Sequence, residues 1–122
     1  MPLDDRDAAS IWDMVQAIQR IQAFTTGVSS EAYLDSELIQ SAVERQLEIL
    51  GEAARRLSSE SQQAHPGVDW AGIIGLRNVI AHRYDQIRAE RIWSVLAADL
   101  PEILEKLEIL LPPSEEPDNA SE

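Results

Sequence analysis

Apolar residues recur at intervals of three and four along most of the chain, and no stretch alternates apolar and polar residues as a half-buried strand would. This spacing is typical of amphipathic helices that bury one face. It predicts helices over residues about 7–25, from 31 or 35 to 58, 70–83, and from about 88 to 111 with a kink or a new helix at Pro101. We therefore predict an all-α fold, a four- to five-helix up-and-down bundle that forms a single domain over residues 1–111.

The breaks between these helices carry turn-forming and capping residues. Gly27 and its Thr and Ser neighbours separate the first two helices, and a polar loop over residues 58–67 ends in a Pro-Gly pair. The candidate N-caps are Asp4, Asp5 or Asp7 for the first helix, Ser30 or Asp35 for the second, and Asp69 for the third. After Pro112 and Pro113 the acidic residues 112–122 are predicted to form a disordered tail.

Three glycines and two aromatic residues predict how the helices pack. Gly51 lies among good helix formers, although glycine costs roughly 1 kcal/mol relative to alanine inside a helix, so we expect a second helix to pass close to it. Gly72 and Gly75 suggest the same closeness for the helix over residues 70–83. Trp12 and Phe24 are expected to widen the apolar stripe of the first helix.

The net charge of −12 is unfavourable for a protein that binds nucleic acid over its whole surface. However, residues 112–122 hold four acidic residues and no base, whereas residues 77–91 hold four arginines against Asp85 and Glu90. A local basic site on an acidic protein is therefore expected. No apolar run approaches the ~20 residues that span a bilayer, and the chain has no cysteine for disulfides or zinc–thiolate sites. We expect a soluble, cytoplasmic protein with no membrane partner.

The side chains suited to phosphate chemistry are concentrated in residues 77–84, namely Arg77, Asn78, His82, Arg83 and Tyr84. Arginine offers a permanently charged fork, and histidine titrates near neutral pH. On one straight helix Asn78 and His82 share a face, but Arg77 and His82 lie roughly 140° apart. Either the helix ends near His82 or a second copy supplies the missing group across a twofold axis, and we favour both together.

The spacing of arginine, four residues, histidine, any residue and tyrosine resembles the signature of the HepT-type toxins, which belong to the HEPN superfamily of small helical ribonucleases. Residues 44–52 (ERQLEILGE) are similar to the family's second-helix pattern, and residues 70–76 (WAGIIGL) are similar to its approach to the motif. The resemblance covers about residues 5–111. It also implies that Arg45 and Glu52, which share a helix face, form a polar link towards the catalytic helix.

The resemblance implies a ribonuclease toxin that cleaves RNA, not DNA, as a homodimer with paired motifs at its interface. In this hypothesis Arg77 and His82 are catalytic, Asn78 and Tyr84 orient His82 or the substrate, and Arg83 is a further phosphate contact. The family is typically partnered by a minimal nucleotidyltransferase antitoxin, which in some members transfers AMP to the tyrosine of the motif, here Tyr84.

No cofactor and no metal ion are expected, because two separated histidines and scattered carboxylates do not make a closed ligand set. His65, beside Pro66, is expected to be an exposed loop residue without a catalytic role. The alternative to the enzyme is a non-catalytic helical module that binds a nucleotide or a nucleotidyltransferase through Arg77 and His82. A third possibility is a structural dimerisation domain, in which motif substitutions would change stability only.

Overall fold

The computed structural model describes residues 3–81 and 87–111, so the predicted tail over residues 112–122 lies outside the described residues. Within the described part every regular element is helical, which confirms the all-α helical bundle. None of these helices is both long and apolar enough to cross a membrane. The α-helices are α1 (Asp5–Thr25), α2 (Ser30–Asp35), α3 (Glu37–Arg56), α4 (Ser59–Ala64), α5 (Trp70–Ala81), α6 (Ile87–Ser94) and α7 (Leu100–Leu110), with a π-helical segment (Val95–Asp99) between α6 and α7.

Helix α3 is the central element of the bundle, since it packs along α1 on one side and α5 on the other. Helix α7 packs against α1, and the short α2 fits between α3 and α6. The fully buried side chains come from every long helix, and they form one continuous core. The largest of them are Tyr33, Ile11, Met14, Ile18, Ile21, Leu47, Leu50, Ile73, Ile92, Leu100 and Leu107.

Helix α1 begins as predicted but buries a narrower stripe than expected. The side chain of Asp4 accepts a hydrogen bond from the N–H of Asp7, so Asp4 is the N-cap. Trp12 is 52% exposed and Phe24 is 40% exposed, so the prediction that they widen the apolar stripe is wrong. Trp12 lies roughly 60° around the helix beyond Val15, which is the last buried position on that side.

The segment predicted as one helix from residue 31 or 35 to 58 is two helices, α2 and α3. Ser29 caps α2 and Ser36 caps α3, in place of the predicted Ser30 and Asp35. The break at Ser36 lets α2 turn towards α6. There the fully buried ring of Tyr33 contacts the ring of Trp93, with the ring centroids 5.2 Å apart.

The polar stretch over residues 58–67 is not a plain loop, because it contains α4. Ser58 caps this helix, and the amide of Gln62 donates to the carbonyls of Ala54 and Leu57 at the end of α3. His65 is half-buried rather than exposed, and its carbonyl accepts a 2.9 Å hydrogen bond from the indole of Trp70. Short helices with few apolar residues give little periodic signal, which explains why the pattern missed α4, whose one apolar residue is Ala64.

A buried carboxylate joins the start of α1 to the start of α4. Asp7 is only 3% exposed, and it accepts hydrogen bonds from the backbone N–H and the hydroxyl of Ser58 and from the hydroxyl of Ser61. Burial by itself raises the pKa of Asp7. These hydrogen bonds and the nearby Arg6 together lower the pKa by more than burial raises it, so the pKa lies below its ordinary value. The charged form of Asp7 therefore stabilises the fold.

Asp7→Ala is expected to lower the free energy of unfolding by about 2–3 kcal/mol at pH 7, because it leaves three donors without their acceptor. Since the pKa of Asp7 is lowered in the folded state, its stabilisation is present above the unfolded pKa and is lost as the pH falls through the folded pKa. Urea unfolding at pH 7 and at progressively lower pH measures this effect. The difference in free energy of unfolding between the Asp7→Ala variant and the unsubstituted protein should become smaller below about pH 4.

Asp5→Ala is the control for this experiment, since Asp5 is exposed in the same helical turn. Its loss should change the free energy of unfolding by no more than about 0.5 kcal/mol. The assigned role of the Asp7 carboxylate would be contradicted if the Asp7→Ala variant and the unsubstituted protein differed in free energy of unfolding by the same amount at every pH.

Helix α6, the π-helical segment and α7 follow one another without a break, and α7 begins at Leu100, which confirms the predicted new helix at Pro101. Pro101 lies in the first turn of α7, where a missing N–H is tolerated. The N–H of Leu100 donates to the carbonyl of Val95, five residues back. This wide turn takes up one extra residue, so Ile92 and Leu100 are two turns apart and both reach the core.

Candidate active site

Gly51 allows α5 to lie close against α3, as predicted from the sequence. A Cβ atom added at Gly51 would lie 3.3 Å from Cγ of Arg77 and 3.5 Å from the carbonyl oxygen of Ile73. The stem of Arg77 therefore crosses α3 at the one position of that turn without a side chain. The prediction for Gly75 is wrong within the described part of the chain, where a Cβ added at this glycine would meet no atom within 4 Å. At Gly72 the nearest atoms to an added Cβ belong to the capping carboxylate of Asp69.

Glu52 fixes the guanidinium group of Arg77. Nη1 of Arg77 lies 2.9 Å from Oε2 of Glu52, and the two side chains are 44% and 39% exposed. The predicted polar link from α3 to the motif helix is thus confirmed for Glu52. Arg45 instead pairs with Glu48, one turn further along α3, at 3.5 Å. Because both members of the Arg77–Glu52 pair remain partly hydrated, the pair orients Arg77 more than it stabilises the fold.

Two cavities open on either side of Arg77. The first, of about 640 Å³, is bounded by α3 and the second half of α5, and its lining residues are Arg45, Glu48, Ile49, Glu52, Arg56, Arg77 and Ile80. Glu52 faces Arg77, whereas Ile80 shares the cavity with Arg45 and Ile49, so α5 runs antiparallel to α3. The described part of the motif helix therefore borders a polar cleft.

The second cavity, of about 660 Å³, lies on the opposite side of Arg77 and contains Asn78. Its lining residues are Arg55, Gln62, Ala71, Ile74, Gly75, Arg77 and Asn78. Asn78 is exposed, so its amide is available to a molecule in this cavity. The structure thus places two of the predicted site residues, Arg77 and Asn78, at the same opening.

The two cavities have a local excess of positive charge on an otherwise acidic protein. Their linings include Arg45, Arg55, Arg56 and Arg77 against the carboxylates of Glu48 and Glu52. Sequence reasoning located the basic site in residues 77–91 and missed the contribution of α3. The signal was present in the i,i+3 and i,i+4 spacing of charges along α3, but only the packing of α5 shows which face is used.

The other predicted site residues, His82, Arg83 and Tyr84, lie outside the described residues. Their roles therefore stay predictions, as do the dimer and its interface. Among the described residues no three His, Asp or Glu side chains are grouped as ligands of a metal ion would be. What the described part provides is an oriented, half-exposed arginine beside two cavities, which is an arrangement suited to binding a phosphate group.

Comparisons with known proteins identify the family of the chain. The family described as Ribonuclease HepT-like matches residues 14–110. A proposed RNase of Methanocaldococcus jannaschii is 30% identical over 102 residues, which cover 84% of this chain and 94% of the relative. A proposed ribonuclease HepT of Thermococcus cleftensis is 31% identical over 98 residues, covering 80% of this chain and 89% of the relative.

A further relative, a proposed RNase of Caldanaerobacter subterraneus, is 31% identical over 85 residues, covering 70% of this chain and 76% of the relative. No solved structure matches the chain. The matched region includes α3, α5 and the segment between α5 and α6, so it contains the whole candidate site. The chain therefore belongs to the HepT-like ribonuclease family.

Proposed function

We propose that this protein is a ribonuclease toxin that cleaves RNA as a homodimer, without a metal ion, and is neutralised by a nucleotidyltransferase antitoxin. The observation that carries the proposal is the position of Arg77 in a member of the HepT-like ribonuclease family. Its guanidinium group is held by Glu52, its side chain is 44% exposed, and it borders two cavities that could admit a polynucleotide. An arginine in this setting can bind a phosphodiester through two parallel hydrogen bonds.

The proposed reaction is attack of a ribose 2′-oxygen on the neighbouring phosphorus. A base takes the 2′-hydroxyl proton, the bond from phosphorus to the 5′-oxygen breaks, and an acid protonates that leaving oxygen. The products are a 2′,3′-cyclic phosphate and a 5′-hydroxyl, so atoms and charge balance. Arg77 neutralises the charge that gathers on the phosphate oxygens. DNA is not a substrate in this scheme, because it lacks the 2′-hydroxyl.

His82 is the acid–base group in this scheme, since an unperturbed histidine titrates near pH ~6.5. One histidine does not easily act as acid and base in the same step. A homodimer that brings two copies of the motif together would supply both groups, which supports the dimer. Asn78 would orient His82 or the ribose, and Arg83 would add a phosphate contact.

Tyr84 is the proposed point of control. Transfer of AMP to its phenol would add bulk and negative charge two residues from His82, and both effects oppose the entry of an RNA phosphate. The antitoxin would be a minimal nucleotidyltransferase that uses ATP. The phenol oxygen attacks the α-phosphorus of ATP, pyrophosphate leaves, and the phenol proton passes to solvent.

Expression in cells tests the proposal directly. We expect growth arrest and fragmented total RNA with the unmodified protein, and neither effect with Arg77→Ala or His82→Ala at equal soluble expression. Cleavage by the purified protein should continue in excess EDTA and leave cyclic phosphate ends. Mass spectrometry must show Tyr84 unmodified in the protein that is tested.

If the protein with unmodified Tyr84 leaves both growth and RNA intact, the toxin proposal is wrong and the binding-module alternative replaces it. That module would bind a nucleotide or the nucleotidyltransferase through the same residues, and Arg77→Ala would then weaken binding only.

A further inference from the structure

We propose that Arg55, on the last turn of α3, is a second phosphate-binding residue, and that the cavity it shares with Arg77 and Asn78 holds a phosphate next to the one that is cleaved. The inference rests on the proposed function, since it names how the RNA strand is held at that site. Arg55 lies outside the motif over residues 77–84, and its role follows only from the packing of α5 against α3.

The geometry that carries this inference is the sharing of one carboxylate oxygen by two guanidinium groups. Oε2 of Glu52 lies 2.9 Å from Nη1 of Arg77 and 3.7 Å from Nη2 of Arg55. A single negative charge thus holds two positive charges side by side, which leaves a net positive charge at this point. Each guanidinium has five donors, and within the described residues Glu52 is the ion-pair partner of both Arg55 and Arg77, so donors of both side chains remain for another anion.

The ion pair does not prevent Arg55 from binding phosphate. The side chain of Arg55 is 61% exposed. Its Nη2 lies 3.7 Å from Oε2 of Glu52, whereas Nη1 of Arg77 lies 2.9 Å from the same oxygen, so the contact of Arg55 is the longer one. Exposed pairs of this kind contribute at most about 1 kcal/mol. A phosphate oxygen can therefore accept hydrogen bonds from Arg55 with little loss of free energy from the Arg55–Glu52 pair, while Glu52 keeps Arg77 oriented.

The cavity also has room for a strand. Gly75 borders it, and a Cβ atom added there would meet no atom of the described residues within 4 Å, so these residues leave the surface of α5 open at this point. Ala71 adds only a methyl group one turn away. Asn78, on the same lining, offers an amide that can both donate and accept. The small residues leave space for ribose and backbone, and the polar groups lie along one edge of that space.

Binding of a 2′-O-methyl oligoribonucleotide separates this role from catalysis, because this strand cannot undergo the proposed cleavage. Fluorescence anisotropy at several KCl concentrations should show Arg55→Ala weakening binding about tenfold at low salt. The slope of log Kd against log salt should fall by about 0.7, the value for one lost phosphate contact on a single strand. Arg55→Lys should restore part of the affinity, since lysine keeps the positive charge but cannot donate two parallel hydrogen bonds as a guanidinium group does.

Arg20→Ala is the matched control, because Arg20 is an exposed arginine of α1 that lines neither cavity. It removes the same charge and should change the affinity less than about twofold. Equal weakening by Arg55→Ala and Arg20→Ala, or no weakening by Arg55→Ala, would overturn the inference.

Steady-state cleavage of an unmodified RNA gives a second readout. Arg55→Ala should raise KM about tenfold with kcat nearly unchanged, because binding away from the reacting bond affects the ground state and the transition state equally. A fall in kcat with unchanged KM would contradict the role in binding. Absence of cleavage by the unsubstituted protein, with the binding difference intact, would refute the proposed nuclease and leave the phosphate site standing.

Discussion

Arg77→Ala is expected to lower kcat for RNA cleavage by about 10²–10³-fold, which is the usual effect of removing a group that stabilises transition-state charge. The protein should remain folded, since the Arg77–Glu52 pair is partly hydrated on both sides. Its loss should change the free energy of unfolding by less than about 1 kcal/mol. Single-turnover cleavage by purified protein, together with urea unfolding, measures both quantities.

Two further variants sharpen this result. Arg77→Lys keeps the charge but loses the two-pronged hydrogen bonding, so it should recover only part of the activity. Arg20→Ala, on the exposed side of α1, should cleave like the unsubstituted protein. Arg77→Ala with undiminished kcat would show that the cation at this position takes no part in the chemistry.

Gly51→Val should disturb the fold and the site together. The added Cβ would already lie 3.3 Å from Cγ of Arg77 and 3.5 Å from the Ile73 carbonyl oxygen, and valine places two methyl groups beyond it. We expect the free energy of unfolding to fall by about 1–3 kcal/mol, as in other overpacked interiors. RNA cleavage should fall by about 10- to 100-fold, because small displacements of a catalytic group are costly.

Gly75→Ala is the control for this variant, since both glycines lie inside helices but only Gly51 is in close contact. Since no atom of the described part lies within 4 Å of the added Cβ, Gly75→Ala should raise the free energy of unfolding by about 0.5–1 kcal/mol through helix propensity alone. Thermal unfolding of the two variants side by side measures the difference. Similar stabilities for Gly51→Val and Gly75→Ala would show that the α3–α5 contact tolerates a side chain.

The sequence was sufficient for features that depend on local pattern. The 3–4 spacing of apolar residues located the long helices, and the capping roles of Asp4 and Asp69 follow from short-range hydrogen bonding. Gly51 and Gly75 have the same local setting, yet only one is crossed by another helix. Composition alone could not tell which of the two glycines is crossed by another helix, because that depends on where α5 lies relative to α3.

Some contacts between distant parts of the chain have no signal in the local sequence. Asp7 contacts Ser58 and Ser61, more than 50 residues away, and nothing near Asp7 in the sequence marks it as buried. For the same reason the sharing of Glu52 by Arg55 and Arg77 went unnoticed. Local signals specify helices and caps, whereas the site is assembled from side chains that only the tertiary packing brings together.

The π-helical segment between α6 and α7 bears on how relatives of this protein are aligned. Its wide turn holds one residue more than an α-helical turn, so the faces of α6 and α7 that enter the core stay in phase. A homologue with one residue fewer between positions 95 and 99 would have a regular helix here and keep the same buried positions. Single-residue gaps in this short stretch therefore mark a local change in helical winding, and they leave the correspondence of core residues on either side intact.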